Sequence, residues 1–418
     1  MNLSLEKSIV KNQKLEIKIT GSKSETNRLL LLQALYPNLN INNTSNSDDS
    51  EVMQKALAIT HHPSLITDVI DVHHAGTAMR FLAAFFAIQK GKEVVLTGSS
   101  RMKERPIKIL VEALNQLGAE ISYEENEGFP PIKIKGKKLT QNRVSLPANV
   151  SSQYISALLL IAPKLENGLE LTLEGEITSV PYIKMTLALL SEIGIETLFV
   201  GNQITVKSLP TSSSQLLTVE SDWSSASYWY SIVALSEFGT QIKLSSYKEN
   251  SLQGDSALAN IYQDFGVATI FNRDNSITIS KERIHNSQLS TLNSHLNNSP
   301  DIAQTIAVTC FGLGMGCDLY GLHTLKIKET DRLEALKAEL IKLGAEISVT
   351  NESLHLKPSS SINENIAIKT YQDHRMAMAF APLALRVPIK IEEAEVVSKS
   401  YPDFWIDLKE IGFKMEEI

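Results

Sequence analysis

Six times along the chain, a small or polar residue opens a short apolar stretch that reads as a buried helix. The openings are SETNRLLLLQAL from Ser24, GTAMRFLAAFFAI from Gly76, SSQYISALLLIA from Ser151, SSASYWYSIVALS from Ser224, DIAQTIAVTCFG from Asp301 and DHRMAMAFAPLAL from Asp373. From the second opening onward the spacing is 72 to 77 residues. Self-similarity at a fixed period marks a repeat architecture, in which each unit buries its apolar face against its neighbours. A second phrase recurs at a matching step: LNQLGAEI, LSEIGIET, IYQDFGVATI and LIKLGAEISV carry glycines at 118, 194, 266 and 344. Each reads as a helix end, a glycine cap and then a β-branched strand.

One unit therefore spans about 75 residues and holds two helices and several strands. Strand candidates include LEIKIT at 15–20, EVVLTG at 93–98, LELTL at 169–173 and SITIS at 276–280. A chain of 418 residues is too long for one ordinary core, and six units do not fit one sheet. The economical arrangement is an α/β protein of two similar domains with three units each. The first domain is expected over 21–225, with the joint near Trp223–Ser225. Residues 1–20 and 226–418 form the second, the N-terminal strand pairing into it to close the sixth unit. The active site is expected in the cleft between domains. Each opening puts Ser, Thr, Gly or Asp where free helix N–H groups and the positive end of the helix dipole lie, so several anion-binding points converge.

Composition excludes several classes. Net charge is −7, which argues against nucleic-acid binding. Cys310 and Cys317 read as buried free thiols, and neither sits in a basic loop. No apolar run approaches the roughly 20 residues that span a bilayer, and the N-terminus lacks a signal core. The expectation is a cytoplasmic, monomeric protein that binds neither membrane nor nucleic acid. GLGMG at 312–316 follows a helix rather than a strand and fails as a dinucleotide site. His61-His62 and His73-His74 are adjacent pairs without metal-ligand spacing, so no metal or organic cofactor is expected.

Chemistry concentrates in a few turns. GSKSETNR at 21–28 places Lys23 and Arg28 around a helix that Ser24 is expected to cap, and HAGTAMR at 74–80 repeats the design with Gly76, Thr77 and Arg80. RMKERPIKIL at 101–110 packs Arg101, Lys103 and Arg105 before Pro106. The same residues also describe capped helices with solvated basic faces. KIKETDRLEAL at 326–336 alternates in charge, which fits either a surface ladder of ion pairs or a carboxylate acid/base among substrate-holding cations. Asp301 follows Pro300, and Asp373, His374 and Arg375 open the last helix.

Taken together, GSKSETNR, AGTAMR, RMKERPI, SSQ, PYI, KETDRL, DHRMAM and KSYPDF occur in an order that resembles the enolpyruvyl transferases, specifically the branch whose acceptor is shikimate 3-phosphate. The resemblance spans nearly the whole chain. It implies two domains of three βαβαββ units each, and transfer of the enolpyruvyl group of phosphoenolpyruvate to the 5-hydroxyl of shikimate 3-phosphate by addition and elimination. It implies that Lys23, Ser24, Arg28, Ser151, Ser152, Gln153, Ser179, Tyr182, Asp301 and Lys328 hold shikimate 3-phosphate. Lys23, Gly76, Arg105, Gln153, Arg332, Arg375 and Lys399 would grip phosphoenolpyruvate. Asp301 would be the base and Glu329 the acid, with Lys23 and His374 assisting. Burial would keep Glu329 protonated often enough to serve. The chain departs from the family pattern at His74, usually Asn, at Thr324, commonly Asn, and at Val180, frequently Lys. Two alternatives are a UDP-sugar enolpyruvyl transferase, whose reactive Cys is missing from 101–106, and a non-catalytic anion-binding protein on the same fold.

Overall fold

A computed structural model of the chain describes residues 1–11, 15–59, 68–149, 151–175, 177, 180–209, 213–283 and 290–418. His61, His62 and Ser179 lie outside the described residues. The chain divides into two compact units, one made of Gly21–Val219 and the other of Met1–Thr20 with Glu220–Ile418. Trp223 and Ser225 belong to the first helix of the latter, Trp223–Leu235.

Five four-stranded sheets among the described residues share one plan. In each, the first strand pairs parallel with the second, the second antiparallel with the third, and the third antiparallel with the fourth. In the Gly21–Val219 unit one sheet runs Asp68–Asp71, Glu93–Thr97, Ile132–Lys135, Glu120–Tyr123. The next runs Arg143–Pro147, Leu169–Glu174, Gln203–Val206, Thr197–Val200. The other unit repeats the plan with Leu15–Ile17, Gln241–Leu244, Ile277–Lys281, Val267–Phe271. It repeats it again with Thr291–His295, Gly316–Tyr320, Ser353–Leu356, Ile347–Val349. Its third sheet runs Ile366–Ile368, Ile389–Ile391, Leu3–Leu5, Met415–Glu417, so the N-terminal strand closes the last unit. Among the described residues the sixth unit shows a parallel pair, Leu39–Asn42 with Gln215–Thr218.

The recurring glycine explains why the plan repeats. Gly118, Gly194, Gly266 and Gly344 all have φ between +71° and +100°, a left-handed turn that a Cβ disfavours. Each ends a helix and turns the chain into a strand. The six apolar openings are helices Lys23–Leu35, Gly76–Ala87, Ser152–Ile161, Trp223–Leu235, Ala303–Leu313 and His374–Phe380. They are buried nearly all round: every residue from Ala78 to Ala87 is buried. Such a helix has no solvent face and belongs inside a layer of sheets and amphipathic helices. Small hydroxyl residues let these helices meet. Ser227 pairs with Thr305 at 3.1 Å, and Thr309 donates to Ser231 at 2.8 Å and pairs with the Tyr262 hydroxyl at 2.9 Å.

The caps differ in detail from the sequence reading. The first helix begins at Lys23, so Ser24 lies inside its first turn and caps nothing. Asp222, not Ser224, caps the fourth, accepting from the Ser225 amide at 2.9 Å. An aspartate one residue before the helix presents its oxygen to the free amides better than a serine already inside it. The fifth helix is preceded by a 3-10 turn, Pro300–Ile302, which sets Asp301 off the helix proper. Ser151 and Asp373 are caps, accepting from Gln153 and Arg375 amides at 3.4 Å and 2.8 Å. Cys310 and Cys317 are buried free thiols. Among the described residues no helix is long and apolar enough to cross a membrane.

Replacing Thr309 by valine keeps the shape but strips Ser231 and Tyr262 of a buried partner. Urea denaturation should show a loss of about 1–3 kcal/mol; unchanged stability would mean that these polar rungs contribute nothing net.

Candidate functional site

In the Glu220–Ile418 unit the site is organised by one buried cation. Arg332 opens the helix Arg332–Lys342, whose cap Asp331 accepts from the Leu333 and Glu334 amides, both at 3.2 Å. The Arg332 side chain is 2% exposed, and its three nitrogens each meet a different carboxylate: Nε to Asp373 at 2.6 Å, one terminal nitrogen to Asp301 at 2.8 Å, the other to Glu329 at 2.7 Å. Burial works against the charge, but Asp373, Glu329 and Asp301 outweigh it and raise its pKa above the ordinary arginine range. The charge alternation in 326–336 is thus not a solvated ladder at Arg332. Its fork is turned inward, where planar bidentate geometry fits carboxylates.

Asp301 collects further cations. Lys328 lies 3.4 Å away and Arg375 3.3 Å, and Arg375 also donates to the Asp301 carbonyl at 3.1 Å. Burial by itself would raise the Asp301 pKa; Lys328, Arg375 and Arg332 together hold it well below the usual carboxylate range. Glu329 remains 27% exposed, so it is not the buried acid expected above. His374 is buried next to Asp373, with Nδ1 4.0 Å from its carboxylate. The chain reaches Asp373 through Tyr371 and Gln372, both left-handed at φ +54° and +57°. Lys399 steadies this bend by donating to the Gln372 carbonyl at 2.7 Å.

In the Gly21–Val219 unit, Lys23 pairs with Asp49 at 3.4 Å, and His74 Nε2 lies 3.6 Å from the same carboxylate. Arg105 rests on the Gly76 backbone: a Cβ on Gly76 would lie 2.6 Å from its guanidinium. Glycine is required there because a side chain would occupy the cation's place. Arg101 and Lys103 turn outward to Glu104 and Glu125, so the three-cation run delivers only Arg105 to this place. Arg80 is buried and donates to the carbonyls of Gly76 and Pro106, both at 3.1 Å, tying the two turns together. Gln153 donates to Thr77 at 3.0 Å.

Arg28 is also buried. It donates to Thr186 at 2.8 Å, Ser156 at 2.9 Å and the Ser24 and Tyr182 carbonyls, and forms no ion pair with a carboxylate among the described residues. Burial pushes Arg28 and Arg80 down to about 10. Ser151 is exposed, Ser152 buried, and Ser24 and Tyr182 half-buried. Sequence reasoning missed Asp49, did not foresee that Gln153 would meet Thr77, and did not foresee Asp373 as a partner of Arg332. Asp49 sits in the acidic first turn of helix Asp48–Ala58, where an acid needs no further reason. Among the described residues no cluster of three or more His, Cys, Asp or Glu could hold a metal ion.

Removing the Arg332 charge strands Asp373 and Glu329. Arg332→Met should cost about 3–5 kcal/mol near neutral pH in urea denaturation. The sign follows from Asp301: a carboxyl with a depressed folded pKa stabilises above its unfolded pKa and loses that contribution as pH falls. The gap between wild type and variant should therefore shrink on acidification, and a gap independent of pH would refute the electrostatic origin.

The sequence profile of EPSP synthase (3-phosphoshikimate 1-carboxyvinyltransferase) matches residues 38–408. The chain is 45% identical over 404 residues to the 3-phosphoshikimate 1-carboxyvinyltransferase of Bacteroides fragilis (strain YCH46), covering 96% of each chain. It is 35% identical over 423 residues to that of Vibrio campbellii, covering 95% of this chain and 96% of the relative. The fold matches the EPSP synthase structure from Acinetobacter baumannii with a TM-score of 0.80 at 20% identity, over 99% of both chains. With a repeat plan, a carboxylate-clamped arginine and a lineage of relatives that agree along its length, the chain belongs to the EPSP synthase family of enolpyruvyl transferases.

Proposed function

We propose that the two clusters divide between them the work of the family's reaction. In that reaction phosphoenolpyruvate gives its enolpyruvyl group to the 5-hydroxyl of shikimate 3-phosphate and phosphate leaves. The observation that carries the assignment is the convergence of Lys328, Arg332 and Arg375 on Asp301. In the resting protein these cations make Asp301 fully ionised but a weak base. An anionic substrate bound to the same cations offsets their charge, so Asp301 regains proton affinity when its substrate is present. Asp301 then takes the proton of the 5-hydroxyl as its oxygen attacks C2 of phosphoenolpyruvate, while Glu329 protonates C3. As Arg332 turns toward the anion it releases the Glu329 carboxyl from their ion pair, so that Glu329 can carry the proton it delivers. The tetrahedral phospholactoyl intermediate loses a methyl proton and phosphate to give the enol ether.

Binding follows the same electrostatics. Arg105 over Gly76, together with Arg332, Arg375, Lys399, Lys23 and Gln153, serves phosphoenolpyruvate. Lys23, Ser24, Arg28, Ser151, Ser152, Gln153, Ser179, Tyr182, Asp301 and Lys328 serve shikimate 3-phosphate. For Arg28 this requires the guanidinium to exchange a hydroxyl partner for an anion, which its depressed pKa favours. Lys23 and His374 assist proton movement. The protein acts as a cytoplasmic monomer without metal or organic cofactor.

Phosphate release should require both substrates and no added metal or nucleotide; release from phosphoenolpyruvate alone would contradict the acceptor. Glu329→Gln should lower turnover by a factor on the order of 100 or more while calorimetry shows retained shikimate 3-phosphate binding; wild-type turnover would remove Glu329 from its role. Gly76→Ala should displace Arg105 and raise the KM for phosphoenolpyruvate by about tenfold. An unchanged KM would show that Arg105 does not reach this substrate.

A further inference from the structure

Asp255 is a buried carboxylate that the reaction as described does not use. It stands in the 3-10 turn Gly254–Ala257 and is 4% exposed. Its Oδ2 accepts a short hydrogen bond from the Ser224 hydroxyl, whereas its Oδ1 is buried with no hydrogen-bond partner. No cation forms an ion pair with it among the described residues. Burial pushes its carboxyl up to about 6, against the opposing pull of Arg375. A buried carboxylate with one bare oxygen costs stability, so a turn that only needed tethering to a helix would do better with a neutral side chain.

Ser224 shows what the carboxylate controls. A serine hydroxyl has one proton, and here it is committed to Asp255. The Ser224 oxygen can then only accept, and it accepts from an Arg375 terminal nitrogen at 3.2 Å. The relay thus has a fixed direction, from guanidinium to hydroxyl to carboxylate. Among the described residues the other hydrogen bonds of the Arg375 guanidinium all go to one residue: the Asp301 carbonyl at 3.1 Å and its carboxylate at 3.3 Å. Asp301 is the proposed base, and its grip on Arg375 weakens when it takes a proton. Ser224 and Asp255 supply an anchor that does not change charge with that step.

We propose that Ser224 and Asp255 are positioning residues for phosphoenolpyruvate, a hydroxyl–carboxylate relay that keeps the Arg375 guanidinium aimed through the catalytic cycle. This rests on the assignment of Arg375 to phosphoenolpyruvate made above. The relay also accounts for the residue type at 224. Serine there lies two residues past Asp222, which caps the helix, so its hydroxyl is available to work as an intermediary rather than as a cap.

Steady-state kinetics of the full chain carrying Ser224→Ala, Ser224→Thr, Asp255→Asn and Arg375→Lys test the relay. Ser224→Ala and Asp255→Asn should each raise the KM for phosphoenolpyruvate by about tenfold, with the KM for shikimate 3-phosphate and kcat changed by less than about threefold. Ser224→Thr, which keeps the hydroxyl, should recover most of the loss. Thermal unfolding of Ser224→Ala should show a folded protein with a modestly lowered Tm, because the change strands the buried Asp255 carboxylate. Arg375→Lys should raise the phosphoenolpyruvate KM further, by about a hundredfold. If Arg375→Lys has its effect but Ser224→Ala has none, the relay is refuted while the reading of Arg375 stands. If Arg375→Lys leaves that KM alone, the reading fails and the relay falls with it. A parallel rise in both KM values, or no recovery in Ser224→Thr, would reduce the pair to a structural tie and overturn the proposal. Should Asp255→Asn fail to fold, the two Ser224 variants decide the matter by themselves.

Discussion

Arg332 sits at 2% exposure with a carboxylate on each nitrogen, and those carboxylates come from three separate stretches of the chain. Asp301 belongs to the turn before one inner helix, Asp373 caps another, and Glu329 precedes the helix that Arg332 itself opens. The ion cluster therefore fixes where three helix starts lie relative to one another within this unit. Burying such charges is expensive, and a hydrophobic replacement can pack as well. What the cluster provides instead is a set of cations already dehydrated and oriented. An incoming anion can then be met by exchange of partners rather than by fresh ordering of side chains.

The two units solve the problem of holding charge in opposite ways. In one, each buried guanidinium has carboxylate neighbours, and Asp301 is dominated by cations. In the other, Arg28 and Arg80 are buried against hydroxyls, carbonyls and a thioether, and burial lowers their pKa to about 10. A cation held only by neutral dipoles is poised to gain from an anion.

Much of the fold was legible because a repeat announces itself by period, and left-handed glycines at a fixed offset are a local requirement. The Lys326–Leu336 segment was legible only in part. Residues at i and i+4 on a helix look alike in sequence whether their shared face meets water or a core, and only tertiary packing turned Arg332 inward. The basic run at 101–105 had the same ambiguity and resolved the other way for two of its three cations. Ser24 was misread as a cap because Lys23 already belongs to the helix and the cap position falls at Ser22, a two-residue shift below what capping signals resolve. Asp49 and Asp255 carried no signal, since their partners lie 26 and 31 residues away in sequence for Lys23 and Ser224 and no periodicity connects them.

The placement of the N-terminal strands bears on how the chain is made. Leu3–Leu5 is a central strand between Ile389–Ile391 and Met415–Glu417, and Leu15–Ile17 pairs with Gln241–Leu244. Residues 3–5 must therefore wait for residues 389–391 and 415–417 to be made before their sheet can close. Meanwhile the described strands of Gly21–Val219 pair among themselves, so that unit can fold as an insertion within an unfinished partner. Such long sequence separation slows folding and leaves a strand edge open during synthesis. The short length of Leu3–Leu5, with Glu6 and Lys7 directly after it, limits what that waiting edge can pair with.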